Sequence, residues 1–127
     1  MLTLPPAVRV YVATFPCDMR KQFDGIAVMV ENELQQQPRS GHLFVVFNRR
    51  KDMVRILFWD RSGYCLFSKR LEKGTFRMPW GTGNVGAQVE MEASELALIL
   101  EGIDLNGAHR RKRWEAGELP PSLSATG

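Results

Sequence analysis

The sequence predicts an α+β fold, an antiparallel β-meander sheet with helices packed on one face, in the order β-α-β-β-β-(β)-α. Three runs, HLFVVFN, MVRILFWD and YCLFSKRLEK, are β-branched and aromatic, as half-buried strands are. The connections between them, RRKD and RSG, are short enough to force antiparallel hairpins. Before and after this block the apolar residues recur every three or four positions, the period of an amphipathic helix. Strands that run together with flanking helices favour this class over alternating α/β.

The elements follow in order. Arg9 to Phe15 (RVYVATF) has strand composition and is stopped by Pro16. Asp18 is placed to cap a helix running to about Gln36, with Phe23, Ile26, Ala27, Val30 and Leu34 as its apolar stripe. Gly25 within it costs about 1 kcal/mol relative to alanine, and close approach by a strand would account for it. Pro38 to Gly41 is a loop. The three strands are His42–Asn48, Met53–Asp60 and Tyr64–Lys73. Asp60 to Gly63 fits a type I turn with the glycine closing it in a left-handed conformation. Next comes a segment rich in glycine and proline, with a short edge strand at Gln88–Met91. A short helix in EASELALILEG then buries Leu96, Ile99, Leu100 and Ile103 and ends at Gly102. Residues 1–116 form a single domain, and residues 117–127 a mobile polar tail. Strand MVRILFWD has Ile56 and Phe58 on one face and Leu57 and Trp59 on the other. It therefore needs a second covering layer, from the helices, the C-terminal segment or another subunit.

The chain has 127 residues, 44% hydrophobic and 24% charged, which suits one domain. No apolar run approaches the roughly 18 residues that cross a bilayer, and the N-terminus lacks the pattern of a signal peptide. Cys17 and Cys65 stand far apart outside any CxxC or Cys/His cluster, as expected of two half-buried thiols in a reducing cytosol. GTGNVG (Gly81 to Gly86) matches a dinucleotide fingerprint in letters only, because Pro79 and Trp80 precede it and the β-leaning AQVEM follows. Two-metal chemistry needs converging carboxylates. Asp18, Asp24, Asp52 and Asp60 are instead explained by a cap, an exposed helix face and two turns. His42 and His109 have no nucleophile near them in sequence. The expectation is a protein that is not an enzyme, with no catalytic residue, no metal and no cofactor.

Charge is the informative property. The net charge is only +3, yet from Arg39 to Arg77 ten cations stand against three acids, a local excess of seven. HRRKRW (His109 to Trp114) adds four more. Such segregation points to an anionic partner. The candidate nucleic-acid-binding residues are Arg49, Arg50, Lys51, Arg55, Lys69, Arg70, Lys73, Arg77, Arg110, Arg111, Lys112 and Arg113. Arg55 is expected roughly opposite Lys69, and like charges facing across strands cost a few tenths to about 1 kcal/mol. Two readings of these cations stand side by side. One is a phosphate-facing surface. The other is a solvated edge that discourages strand-on-strand aggregation. The aromatic beside the arginines of RRKRW tilts toward nucleic acid.

DMRKQFDGIAVMV, then SGHLFVVFNRRKDMVRILFWDRSGYCLFSKRLEKGTFRMP, then LALILEGIDL resemble TnpB. This is the accessory protein from the second open reading frame of bacterial insertion sequences of the type numbered sixty-six, and is unrelated to the RNA-guided nuclease of the same name. The resemblance covers about Arg9 to Trp114. Met78 stands where that family usually has a tryptophan, with Trp80 following. The resemblance implies a bacterial mobile element and a role in transposition beside a separate DDE-type transposase, without catalysis of its own. The expected partners are DNA, at transposon ends or as non-specific duplex, and the transposase of the same element. A cytoplasmic location follows, with no membrane partner, and a homo-oligomer is compatible. The alternative is an adaptor that binds the transposase through an apolar surface including Trp59, Phe67 and Trp80, without touching DNA.

Overall fold

Leu43–Phe47 (LFVVF) forms strand β2, and all five of its side chains are buried. A strand with apolar groups on both faces is stable only when both faces are covered, and the rest of the fold meets that demand. The computed structural model describes residues 8–78 and 86–102. Its elements are β1 (Val10–Ala13), α1 (Phe23–Met29) continued by a π-helical segment (Val30–Leu34), β2, β3 (Met53–Asp60), β4 (Gly63–Arg70), β5 (Gln88–Met91) and α2 (Ala93–Leu100). The five strands make one sheet in the order β4-β3-β2-β1-β5. The sheet is mixed, and so is not the purely antiparallel meander expected. β1 runs parallel to β2, with Val10 beside Leu43, because α1 carries the chain back across the sheet before β2 begins. The other three pairings are antiparallel.

The helices lie on opposite faces, which corrects the one-face expectation. Val10, Val12, Val45, Phe47, Val54 and Ile56 pack with Leu96 and Ile99 of α2. Ala13, Phe44, Val46 and Leu57 pack with Ile26, Ala27, Met29 and Val30 of the first helix and with Leu34. Alternation along β2 and β3 supplies both cores from the same strands.

The first helix starts later than the sequence suggests. Asp18 does not cap it: its Oδ1 accepts the Arg20 N–H at 2.9 Å, and Lys21 N–H donates to the Asp18 carbonyl at 3.1 Å. These bonds close a separate turn, and the helix opens at Phe23 after Gln22. Arg20 also clamps both Asp18 oxygens. These side-chain bonds, then the backbone bond from Arg20, hold the Asp18 pKa down at about 2. Phe23, expected on the buried stripe, is 43% exposed because it stands on the first, outward turn. Near Gly25 the tight neighbour is the Lys21 side chain, 3.2 Å from where a Cβ would sit, rather than a strand. The helix widens to π geometry at Val30 and ends at Gln35 in the left-handed region, φ +54°.

β5 closes the other edge against β1, and Thr14 extends this pairing through Oγ1 to the Gly86 carbonyl at 2.6 Å. α2 opens with a capping box in which Glu92 and Glu95 each bond the other's backbone N–H. It closes at Gly102, φ +83°. Leu96 and Ile99 are buried and Leu100 is half-buried, whereas Ile103 lies outside the described residues. So do Gly81 to Val85, the C-terminal cluster Arg110 to Arg113 and the tail 117–127. β4 ends at Arg70, three residues before the expected Lys73.

The β3–β4 hairpin needs a correction. Asp60 pairs with Gly63, so Arg61 and Ser62 alone make the loop. The left-handed residue is Arg61, φ +55°, and not Gly63. A non-glycine residue there is strained by about 1–2 kcal/mol. Arg61→Gly should therefore raise the unfolding free energy by about 0.5–1 kcal/mol, the smaller figure allowing for the greater entropy glycine gives the unfolded chain. Urea denaturation measures it, and a loss of stability would contradict the strained-turn account.

Candidate nucleic-acid interface

The cationic hairpin between β2 and β3 is shaped by one side chain, Asn48. Its Oδ1 accepts the N–H groups of Asp52 and Met53, both at 3.1 Å, and its Nδ2 donates to Asp52 Oδ1 at 2.6 Å. Its backbone exchanges with the same loop: Asn48 N–H donates to the Met53 carbonyl, and Lys51 N–H donates to the Asn48 carbonyl. An asparagine ahead of a turn satisfies loop amides in this way. The result is a tightly held loop with Lys51 in the left-handed region, φ +59°. Arg49 and Arg50 are exposed at its tip.

The chain after β4 returns to this loop. Leu71 N–H donates to the Asp52 carbonyl at 2.8 Å and Phe76 N–H to the Lys51 carbonyl at 2.7 Å. Phe76 is buried with its ring 5.5 Å from that of Phe47. Arg70 pairs with Met53 at the same end of the sheet. Lys73 and Arg77 are exposed on the returning segment or just past it. Arg49, Arg50, Lys51, Arg70, Lys73 and Arg77 are thereby gathered at one pole of the sheet. The acids in these two segments are Asp52 and Glu72. Asp52 is occupied by Asn48 and lies 4.0 Å from Arg50 Nε. The first helix, by contrast, carries Asp24, Glu31 and Glu33 without a lysine or arginine between Phe23 and Leu34.

Arg55 and Lys69 do not face each other. The register sets Arg55 beside Ser68 and Lys69 beside Val54, one residue off the expected pairing, so the two cations point to opposite faces. Each meets a backbone carbonyl. Arg55 donates to the Lys21 carbonyl at 2.8 Å, tying β3 to the turn before α1. Lys69 Nζ donates to the Leu100 carbonyl at 2.8 Å, placing its charge at the negative C-terminal end of α2. The repulsion expected between them is absent, and both positions have a structural task. The apolar adaptor surface is also divided. Trp59 lies on the α1 side, against Tyr64 and 4.7 Å beneath the Arg39 guanidinium, whereas Phe67 lies on the α2 side. Trp80 lies outside the described residues.

Asn48 is the site residue that the sequence reading passed over. Its signal was present: an asparagine directly before a run of four charged residues between two strands is a turn-forming side chain. Cys17, whose N–H donates to the Phe47 carbonyl at 2.8 Å, is buried, and burial pushes its thiol pKa up, against the opposing charge of Lys21.

Comparison with known proteins matches the family described as IS66 Orf2 like protein over residues 8–110. The chain belongs to this family. It is 34% identical over 114 residues to the uncharacterized protein y4hO of Sinorhizobium fredii, covering 90% of this chain and 95% of that one. It is 35% identical over 104 residues to the uncharacterized protein y4jC of the same organism, covering 82% and 86%. No solved structure matches significantly. Membership in the IS66 Orf2-like family is consistent with a role in transposition, and the matched span contains the whole cationic pole. Among the described residues no helix is long and apolar enough to cross a membrane.

Asn48→Ala would leave the Asp52 and Met53 N–H groups without their acceptor. The expected loss is about 1–3 kcal/mol of stability, read by chemical denaturation. Amide exchange in residues 49–53 should rise more than in β1 or β5, and uniform exchange would contradict a local role for Asn48.

Proposed function

We propose that this protein is a non-enzymatic accessory factor for transposition of a bacterial insertion sequence, acting in the cytoplasm and contacting DNA through the cationic pole of its sheet. The supporting observation is the convergence of Arg49, Arg50, Lys51, Arg70, Lys73 and Arg77, drawn from two segments that hydrogen bonds at Asp52 and Lys51 hold together. A rigid loop that presents several guanidinium and ammonium groups with little lost side-chain partnering suits a phosphate backbone. The basic cluster Arg110, Arg111, Lys112 and Arg113 adds to the same contact in this reading. Among the described residues no long recognition helix accompanies the pole: the first helix with its π-helical continuation spans Phe23–Leu34, and α2 spans Ala93–Leu100. Contact with phosphates rather than base edges is the mode that fits.

The adaptor reading, in which the transposase is the direct partner, retains one favourable observation. Phe23, Val28 and Phe67 are large apolar side chains left exposed. Co-purification with the transposase after nuclease treatment distinguishes the two readings, since an adaptor keeps its partner without DNA.

Titration of transposon-end and random duplexes over a salt series tests the DNA reading. Log affinity should fall against log salt with a slope of about 0.9 per phosphate contact, with little preference between the duplexes. Replacing Arg49, Arg50 and Lys51 together by glutamine should reduce that slope by about 2–3. Arg55→Gln and Lys69→Gln should lower stability and leave the slope unchanged. Salt-independent binding, or no binding, overturns the proposal.

A further inference from the structure

The two edges of the sheet differ in kind. β5, at one edge, is four residues long and carries Glu90, which pairs with Arg9. β4, at the other, is eight residues long, contains no proline, and has its only charges, Lys69 and Arg70, at the last two positions. Short or charged edges discourage strand addition, whereas a long, largely uncharged one admits it.

The hairpin fixes which backbone groups of β4 lie on that edge. Asp60 pairs with Gly63 across a two-residue loop, and the closing pair of such a hairpin exchanges both its hydrogen bonds. Counting on from Gly63, the odd-numbered residues bond β3. Leu71 keeps this phase, since its N–H donates to the Asp52 carbonyl. The N–H and C=O groups of Tyr64, Leu66, Ser68 and Arg70 therefore point away from β3, and among the described residues no strand lies beyond them. Cys65, Phe67 and Lys69 have their side chains on the α2 side, where Phe67 is 45% exposed.

An antiparallel second copy of β4 fits this edge in one register. A two-fold axis perpendicular to the sheet at Phe67 sets Leu66 against the partner's Ser68 and Tyr64 against the partner's Arg70. Every outward N–H and C=O of these residues then finds a partner. The two Phe67 side chains meet at a non-hydrogen-bonded position, where Cα atoms come within about 4.5 Å, and each ring covers the other. Tyr64 faces a guanidinium, a favourable cation–π pairing, and Lys69 faces the partner's Cys65. No cation meets a cation. Moving the axis to Leu66 leaves the Arg70 groups beyond the end of the partner strand, and a parallel addition crowds the cations of both copies together.

We propose that β4 pairs with the β4 of a second copy of this chain, edge to edge and antiparallel, with Phe67 against Phe67 at the two-fold axis. The pairing engages the backbone of Arg70 and leaves Arg49, Arg50 and Lys51 at the cationic pole, so DNA contact there neither requires it nor is required by it.

Sedimentation of the full chain after nuclease treatment, over about 1–300 µM, spans the range of a micromolar self-association. It should show a monomer–dimer equilibrium that persists in high salt. Phe67→Lys sets two ammonium groups against each other across the axis, and Ser68→Pro removes an outward N–H where proline spares the β3 ladder. Each should weaken self-association about tenfold or more, with far-UV dichroism unchanged. Phe67→Cys with Cys65→Ser should give a disulfide-linked dimer on diamide oxidation, because the facing Cα separation suits a disulfide, and buried Cys17 does not compete. Leu66→Cys with Cys65→Ser should not link. A wild-type chain that stays monomeric overturns the proposal. Self-association unaffected by both Phe67→Lys and Ser68→Pro, or linkage at position 66 in place of 67, overturns it equally. Should either variant unfold, the wild-type sedimentation and the position of the disulfide decide.

Discussion

Burial of β2 on both faces is the constraint from which the rest of the architecture follows. Leu43, Val45 and Phe47 face α2 while Phe44 and Val46 face the first helix, and none of the five is more than marginally accessible. Burying such side chains stabilises by roughly 1.5–3 kcal/mol each, provided each finds an apolar partner. Only a central position between two layers provides partners for all five. β3 and β1 therefore flank β2, the crossover through α1 covers one face, and α2 must return to cover the other. The parallel β1–β2 pair is a consequence of that crossover, since a connection long enough to contain a helix permits it.

The same demand disposes of the cations inside the sheet. A lysine or arginine on a strand with covered faces must either reach solvent or find an acceptor. Arg55 and Lys69 find backbone carbonyls, at Lys21 and Leu100, and thereby fasten the turn before α1 to one face and the end of α2 to the other. Lys69 does so at a helix C-terminus, where four carbonyls lack intrahelical donors. Positive charge within the meander thus has two separate explanations. At two positions it ties down the turn before α1 and the end of α2, and at the hairpin pole it is displayed to solvent.

That display depends on rigidity as well as charge. A loop of four residues with three cations would spread by self-repulsion if its backbone were free. Asn48 uses both ends of its amide to hold the loop, and the segment through Phe76 anchors it again from below. The two segments at this pole carry six cations, Arg49, Arg50, Lys51, Arg70, Lys73 and Arg77, against Asp52 and Glu72, a local excess that the net charge of only +3 conceals. The proposed contact with DNA rests on this pole.

Local signals sufficed for the strands. The composition of LFVVF and MVRILFWD, the shortness of RRKD and RSG, and the edge run QVEM locate β2 through β5 to within a few residues, because hairpins and strand propensity are properties of neighbouring residues. The excess of charge between Arg39 and Arg77 was equally legible, since counting needs no geometry. What the sequence left open was decided at long range. Whether Arg55 faces Lys69 or Ser68 depends on a shift of one residue in register, and such a shift exchanges the two sides of a strand. Asp18 is the local exception: Arg20, two residues on, holds its carboxylate and keeps it from capping the helix. The sheet has helices on both faces and a parallel pair because buried area must be matched across the whole chain, and that matching exists only once distant segments have met.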